Sequence, residues 1–256
     1  MNEPIERTPW WLVPNLLALD APFVAVVWQR FLASRFDVPL YFPISVTLAL
    51  VVWSIYLLDR SWDARRGESR TERHRWAGAN RALLQVLVAV SSLTVLVAIG
   101  FLPMRVVEMG AIVAAGIAGY LALVHLLAPG TLAKTGFKEL LVGIGFAAGV
   151  AVPLLASPAF RLDWLPAVVA FGVVCWLNCR LIDRWEYAKP GLGECWWLIL
   201  AVTILSAATP GPIALALVGS LALLLVVHVA VRERPRVARV LADAVLILPL
   251  AVEASL

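Results

Sequence analysis

Long charge-free apolar runs separated by short polar stretches make up most of the chain. A helix needs about 20 apolar residues to cross the hydrocarbon of a bilayer. Runs near that length occur at residues 11–30, 39–59, 82–103, 106–128, 137–157, 164–183, 195–209, 212–231 and 237–253. The seventh and eighth share one charge-free stretch, which Thr209-Pro210-Gly211-Pro212 cuts because proline and glycine there favour a turn. No strand-length alternation of apolar and polar positions recurs, so the runs read as helices and not as barrel strands. The expected architecture is all-α: one polytopic domain over residues 1–256 with nine transmembrane helices.

Composition sharpens this reading. The chain is 62% hydrophobic and 15% charged, whereas a soluble domain carries about a quarter charged residues. Charge then sets the orientation. With a cytoplasmic N-terminus and nine spans, 17 of the 21 lysines and arginines fall on the cytoplasmic face. The other face keeps Arg30, Arg35, Arg105 and Arg161. Such a split over short loops is the positive-inside pattern. It predicts a multi-pass protein of a bacterial plasma membrane with its C-terminus outside. The net charge of +4 lies in inter-span loops and does not point to nucleic acid. Glu3 and Glu6 precede the first apolar run, the wrong sign for a cleavable signal. Cys175, Cys179 and Cys195 are too few and too widely set for a zinc site, and read as small buried hydrophobes.

Two acidic motifs carry the candidate chemistry. Tyr56-Leu57-Leu58-Asp59-Arg60-Ser61-Trp62-Asp63 closes a charge-free run that begins at Val38, and seven arginines lie between Arg60 and Arg81. Asn178-Cys179-Arg180-Leu181-Ile182-Asp183-Arg184-Trp185-Glu186 closes a second run in the same way. Carboxylates three or four apart share one helix face. Both motifs end spans of the same direction, so Asp59, Asp63, Asp183 and Glu186 are expected to meet at the cytoplasmic face. Acidic pairs facing each other suit Mg2+, which takes one or two carboxylates and leaves other positions to water and phosphate. Lys138, Arg60, Arg66, Arg73 and Arg184 are candidates for neutralising a diphosphate. Tyr56 joins an aromatic group that includes Trp53, Trp62, Trp176, Trp185 and Tyr187, and aromatic faces stabilise cations. Interfacial belts are rich in the same residues.

The layout resembles the UbiA superfamily of intramembrane prenyltransferases, whose nine helices surround a central cavity. Asp59 and Asp63 match the acids of its first motif, and Gly136-Phe137-Lys138-Glu139-Leu140-Leu141-Val142-Gly143 is similar to its fifth helix. The sequence departs from the family where the first motif carries Asn, here Ile55. It departs again in the second motif, where Cys179 or Tyr187 stands at an acid position. The resemblance implies Mg2+ held by Asp59, Asp63, Asp183 and Glu186, and an isoprenyl diphosphate as substrate. The prenyl group would pass to a lipophilic acceptor such as a quinone precursor or another aromatic. The superfamily also contains terpene cyclases, which need no acceptor.

Other polar positions stay open at this level. Asp20 and Asp243 lie within the first and ninth runs, and an acid at such a position marks either function or a helix–helix contact. His125 and His228 read as packing histidines. The small residues of Gly143-Ile144-Gly145-Phe146-Ala147-Ala148-Gly149 permit close helix approach. A transporter or a non-enzymatic membrane protein is the reading from a different class, but no repeat with paired broken helices is apparent.

Overall fold

The structure, a computed structural model, describes residues 9–65, 71–122, 137–188, 191–193 and 195–255. For Asp63, Tyr120, Leu121, Phe137 and Lys138 it describes the main chain alone. All regular structure among these residues is helical. After a 3₁₀ turn at Trp10–Leu12 come α1 (Val13–Leu16), α2 (Asp20–Arg35), α3 (Phe42–Arg65), α4 (Glu72–Ala79), α5 (Arg81–Ile99) and α6 (Met104–Ala122). The second half holds α7 (Phe137–Ala156), α8 (Leu165–Glu186), α9 (Cys195–Ser206), α10 (Gly211–Val231), α11 (Pro235–Val245) and α12 (Pro249–Ala254).

Five of these helices are long and apolar enough to cross a membrane, or six if the bent pair Trp10–Leu16 and Asp20–Arg35 is one span. That number fits a multi-pass membrane protein. It is smaller than the nine apolar runs for identifiable reasons. The first run is broken by a 72° bend. A proline inside a helix clashes with the carbonyl four residues earlier, and Pro22 would meet that of Ala18 in a continuous helix. Ala18 instead turns left-handed with φ of 54°, and Pro22 falls in the first turn of α2, where a missing N–H costs nothing. The ninth run breaks likewise, with α11 ending at Val245 and α12 opening on Pro249. The seventh is a helix of 12 residues. Of the fourth, residues 123–128 and His125 lie outside the described part.

The bundle centres on α8, which packs against α7, α9, α10 and α11. Its partner across the core is α2: the Trp28 and Phe171 rings stack at 4.5 Å, and both are fully buried. On the other side α3 packs on α2, α4 and α5. The outward face of α5 exposes Val86, Val90, Leu93, Leu96 and Val97, as a lipid-facing helix must. Cys175 and Cys195 are buried free thiols, in keeping with their reading as small hydrophobes.

The small residues of α7 do what their pattern predicts. A β-carbon on Gly143 would lie 2.6 Å from the Gly172 carbonyl oxygen and 3.0 Å from Cβ of Trp176. Main chain meets main chain there, so nothing can swing aside. Gly143→Val should therefore push α7 from α8 and cost about 1–3 kcal/mol, the usual range for overpacking. Thermal unfolding of the purified protein in detergent checks this, and Gly110→Ala, with nothing within 4 Å, serves as the neutral comparison.

Candidate functional site

One end of the bundle gathers the charged groups. Glu186 closes α8 and is 8% exposed at its side chain. Arg73 of α4 pairs with its Oε2 at 2.6 Å, and Arg239 of α11 pairs with its Oε1 at 2.7 Å. Two charge-assisted bonds per carboxylate are the arrangement that compensates a buried ion. Burial alone would lower the affinity of the Arg73 guanidinium for its proton, but the Glu186 charge more than offsets this and holds it above its ordinary value. Glu72 of α4 pairs with Arg236 of α11 at 2.9 Å. At the same end Arg180 reaches Glu139 of α7 at 3.4 Å and Asp183 at 4.0 Å.

Helix α4, which carries Arg73 and Arg75 of the arginine run, lies beside Glu186 of the second acidic motif. Between α4 and α11 is a cleft of about 460 Å³, walled by Arg75, Arg234, Arg236 and Arg239 with Glu72 and Glu186. Thr71, also in the wall, caps α4 by accepting from the His74 main-chain N–H. Arg239 is 3% exposed, and its Nε and second amino group have no acceptor. A buried guanidinium edge without an acceptor is costly, and an anion in the cleft is what would satisfy it.

A second polar cluster lies deeper, around the break between α1 and α2. Asn15 of α1 donates through Nδ2 to Asp20 at the start of α2 and to Asp243 of α11, the latter at 3.1 Å. Asn178 of α8 donates to the other Asp243 oxygen at 3.0 Å. Two side chains of α3, seven residues apart on one face, hold the break. Arg60 donates to the Leu16 carbonyl and, at 2.8 Å, to that of Asn15, while Trp53 Nε1 donates to that of Leu17 at 2.8 Å.

The expected site residues separate between these clusters. Glu186 and Arg73 meet in the first, as an ion pair. Arg60 is buried and caps α1. Asp59 and Asp183 are half-buried at the same bundle end. Arg184 is buried and holds the turn after α8, donating to the Gly191 carbonyl at 2.8 Å. Tyr56 sets its ring edge-on to Phe146 at 6.4 Å and stands within electrostatic reach of Asp20 and Asp243. Arg66 lies outside the described residues, as do the side chains of Asp63 and Lys138. His228 packs as expected, accepting from Trp185 Nε1 at 3.0 Å.

The magnesium set expected from the motif acids is only partly described, since the Asp63 side chain lies outside the described residues. No three His, Cys, Asp or Glu among them are gathered closely enough to hold a metal ion, and both Glu186 oxygens face guanidinium groups. Sequence reading passed over Arg239, Asn15 and Asn178. The amides carried a usable signal, because a lone amide in an apolar run must find a partner. Arg239 carried none, since its partner lies on an element 53 residues away.

Replacing Glu186 by Gln should leave the buried Arg239 guanidinium and the half-buried Arg73 guanidinium without a counter-charge. Loss of one partner from such a group costs about 3–5 kcal/mol. Thermal unfolding in detergent should show Glu186→Gln well below wild type, whereas Asp163→Asn, in an exposed pair, should match it. Compared with family models, curated proteins and solved structures, the chain matches none.

Proposed function

We propose that this protein is an intramembrane enzyme acting on an isoprenyl diphosphate and transferring its prenyl group to a lipophilic acceptor, with Mg2+ as cofactor. The observation that carries the proposal is the arginine-walled cleft with the unsatisfied edge of Arg239 beside it. Four arginines against two glutamates give the wall a surplus of positive charge, and the volume suits a diphosphate headgroup. The cleft wall at Glu186 belongs to α8, whose Leu181, Ile182 and Trp185 enter the apolar core, the environment that a prenyl chain needs. In the reaction the carbon–oxygen bond breaks, its electron pair leaves with the diphosphate, and an acceptor carbon attacks the allylic cation and then loses a proton. The arginines bind the departing charge. The partly buried rings of Tyr56 and Phe146, with centroids 6.4 Å apart, are the aromatic faces a cation would use, whereas Phe171 is committed to Trp28 in the core. The Tyr56 and Phe146 rings also support a cyclase as the second reading.

Purified protein with geranylgeranyl diphosphate and Mg2+ tests both. Diphosphate release that depends on an aromatic acceptor is the expected result, and a cyclic product formed without acceptor selects the cyclase. No release under either condition removes the proposal. Arg75→Ala with Arg234→Ala should raise KM about tenfold, from two exposed contacts worth roughly 0.7 kcal/mol each.

The proposal includes nine passes, with the first and last made by broken helices and the seventh by a short one. The basic end of the bundle then faces the cytoplasm of a bacterial cell and the C-terminus lies outside. Single cysteines introduced at Arg234 and Ser157 should react oppositely with an impermeant thiol reagent on intact cells. Labelling is expected at position 157 and not at 234, and the reverse outcome would overturn the orientation.

A further inference from the structure

Four oxygen-bearing side chains from four helices converge where α1 breaks: Asn15, Asp20, Asn178 and Asp243. The two carboxyl groups are drawn together, since both accept from the same Asn15 amide nitrogen. Carboxylates brought that close need a proton or a cation between them. The amides supply an independent sign. Asn15 is 4% exposed and Asn178 6% exposed, each is aimed at Asp243 through its nitrogen, and the oxygen of each has no partner. Rotating an amide by half a turn exchanges its nitrogen and oxygen at almost no steric cost. The rotated pair would present two carbonyl oxygens to the same carboxylates.

We infer that Asn15, Asp20, Asn178 and Asp243 form a site for a hard divalent cation, Mg2+ or Mn2+, distinct from the acids of the α3 and α8 motifs. Spacing admits the assignment, because ordinary hydrogen-bond separations equal those between neighbouring metal ligands. Neighbouring ligands of an octahedral magnesium ion with bonds of about 2.1 Å stand about 3.0 Å apart. The amide-to-carboxylate separations here are 3.1 and 3.0 Å. Two carboxylates balance the ion's charge, so burying it leaves no net charge from these groups. The backbone break makes the geometry possible. It places Asn15 and Asp20 on one side of the ion through a non-helical turn, which a continuous helix would not do. This site lies near Arg60 and Arg73, both within electrostatic reach of Asp20. It would thus bring a metal near the bundle end that the proposed diphosphate uses. The inference does not depend on the reaction.

Binding is measured directly, without substrate. Electron paramagnetic resonance of MnCl2 titrated into purified protein reports the loss of the free-ion signal. One Mn2+ per chain is expected, displaced by excess Mg2+. Asp20→Asn and Asp243→Asn should each weaken binding at least tenfold, while Asp59→Asn and Asp183→Asn should leave it unchanged. Should either variant at the break fail to fold, Asn178→Ser and the Mn2+-induced rise in Tm of the wild-type protein give the same answer. No bound Mn2+ in the wild-type protein up to about 1 mM, or loss of binding in Asp59→Asn instead, overturns the inference. Failure of prenyl transfer with Mn2+ still bound would overturn the proposed reaction alone.

Discussion

A helix that stops inside an apolar bundle leaves main-chain carbonyls that only other protein groups can satisfy. The break after Leu16 is such a stop, and the architecture around it is its answer. Arg60 and Trp53 of α3 take the carbonyls of Asn15, Leu16 and Leu17. Those bonds tie the first two elements to α3. Once the break is held, Asn15 and Asp20 face α8 and α11 and collect Asn178 and Asp243. The inner polar cluster therefore follows from one backbone constraint.

The outer cluster follows from a different cost. Glu186 ends its helix largely shielded from solvent, where an unpaired carboxylate would be neutralised. Arg73 and Arg239 compensate it from two elements distant in the chain. The pairing joins α4, α8 and α11 into one wall and shapes the cleft. It also changes what the acidic motif can do. A carboxylate clamped by two guanidinium groups organises an anion site; it is a poor metal ligand, because three cations around one carboxylate repel one another. Glu186, expected beside a metal, is thus held by two arginines instead.

The two clusters complement each other chemically. Arginines offer a planar donor fork suited to phosphate, and the amide–carboxylate group offers hard oxygens suited to a divalent ion. Both clusters lie where α8 meets α11.

The sequence alone determined the helical class and the polar breaks between the apolar runs, but not the breaks within the first and ninth runs. Apolar run length and proline position act locally, through the cost of exposing main-chain polar groups and through the steric clash of a proline ring. The close approach of α7 and α8 was legible for the same reason, since Gly143 announces itself by having no side chain. The position of the acids at helix ends was legible too, because a charge closes an apolar run. The partner of each charge was not legible. Asp20 and Asp243 read equally well as functional or as packing groups, and Arg239 read as one more loop cation. Only the tertiary structure decided between such options. A buried charge is stabilised by whatever group the packing of distant helices brings within 3 Å, and that choice leaves no trace in local spacing.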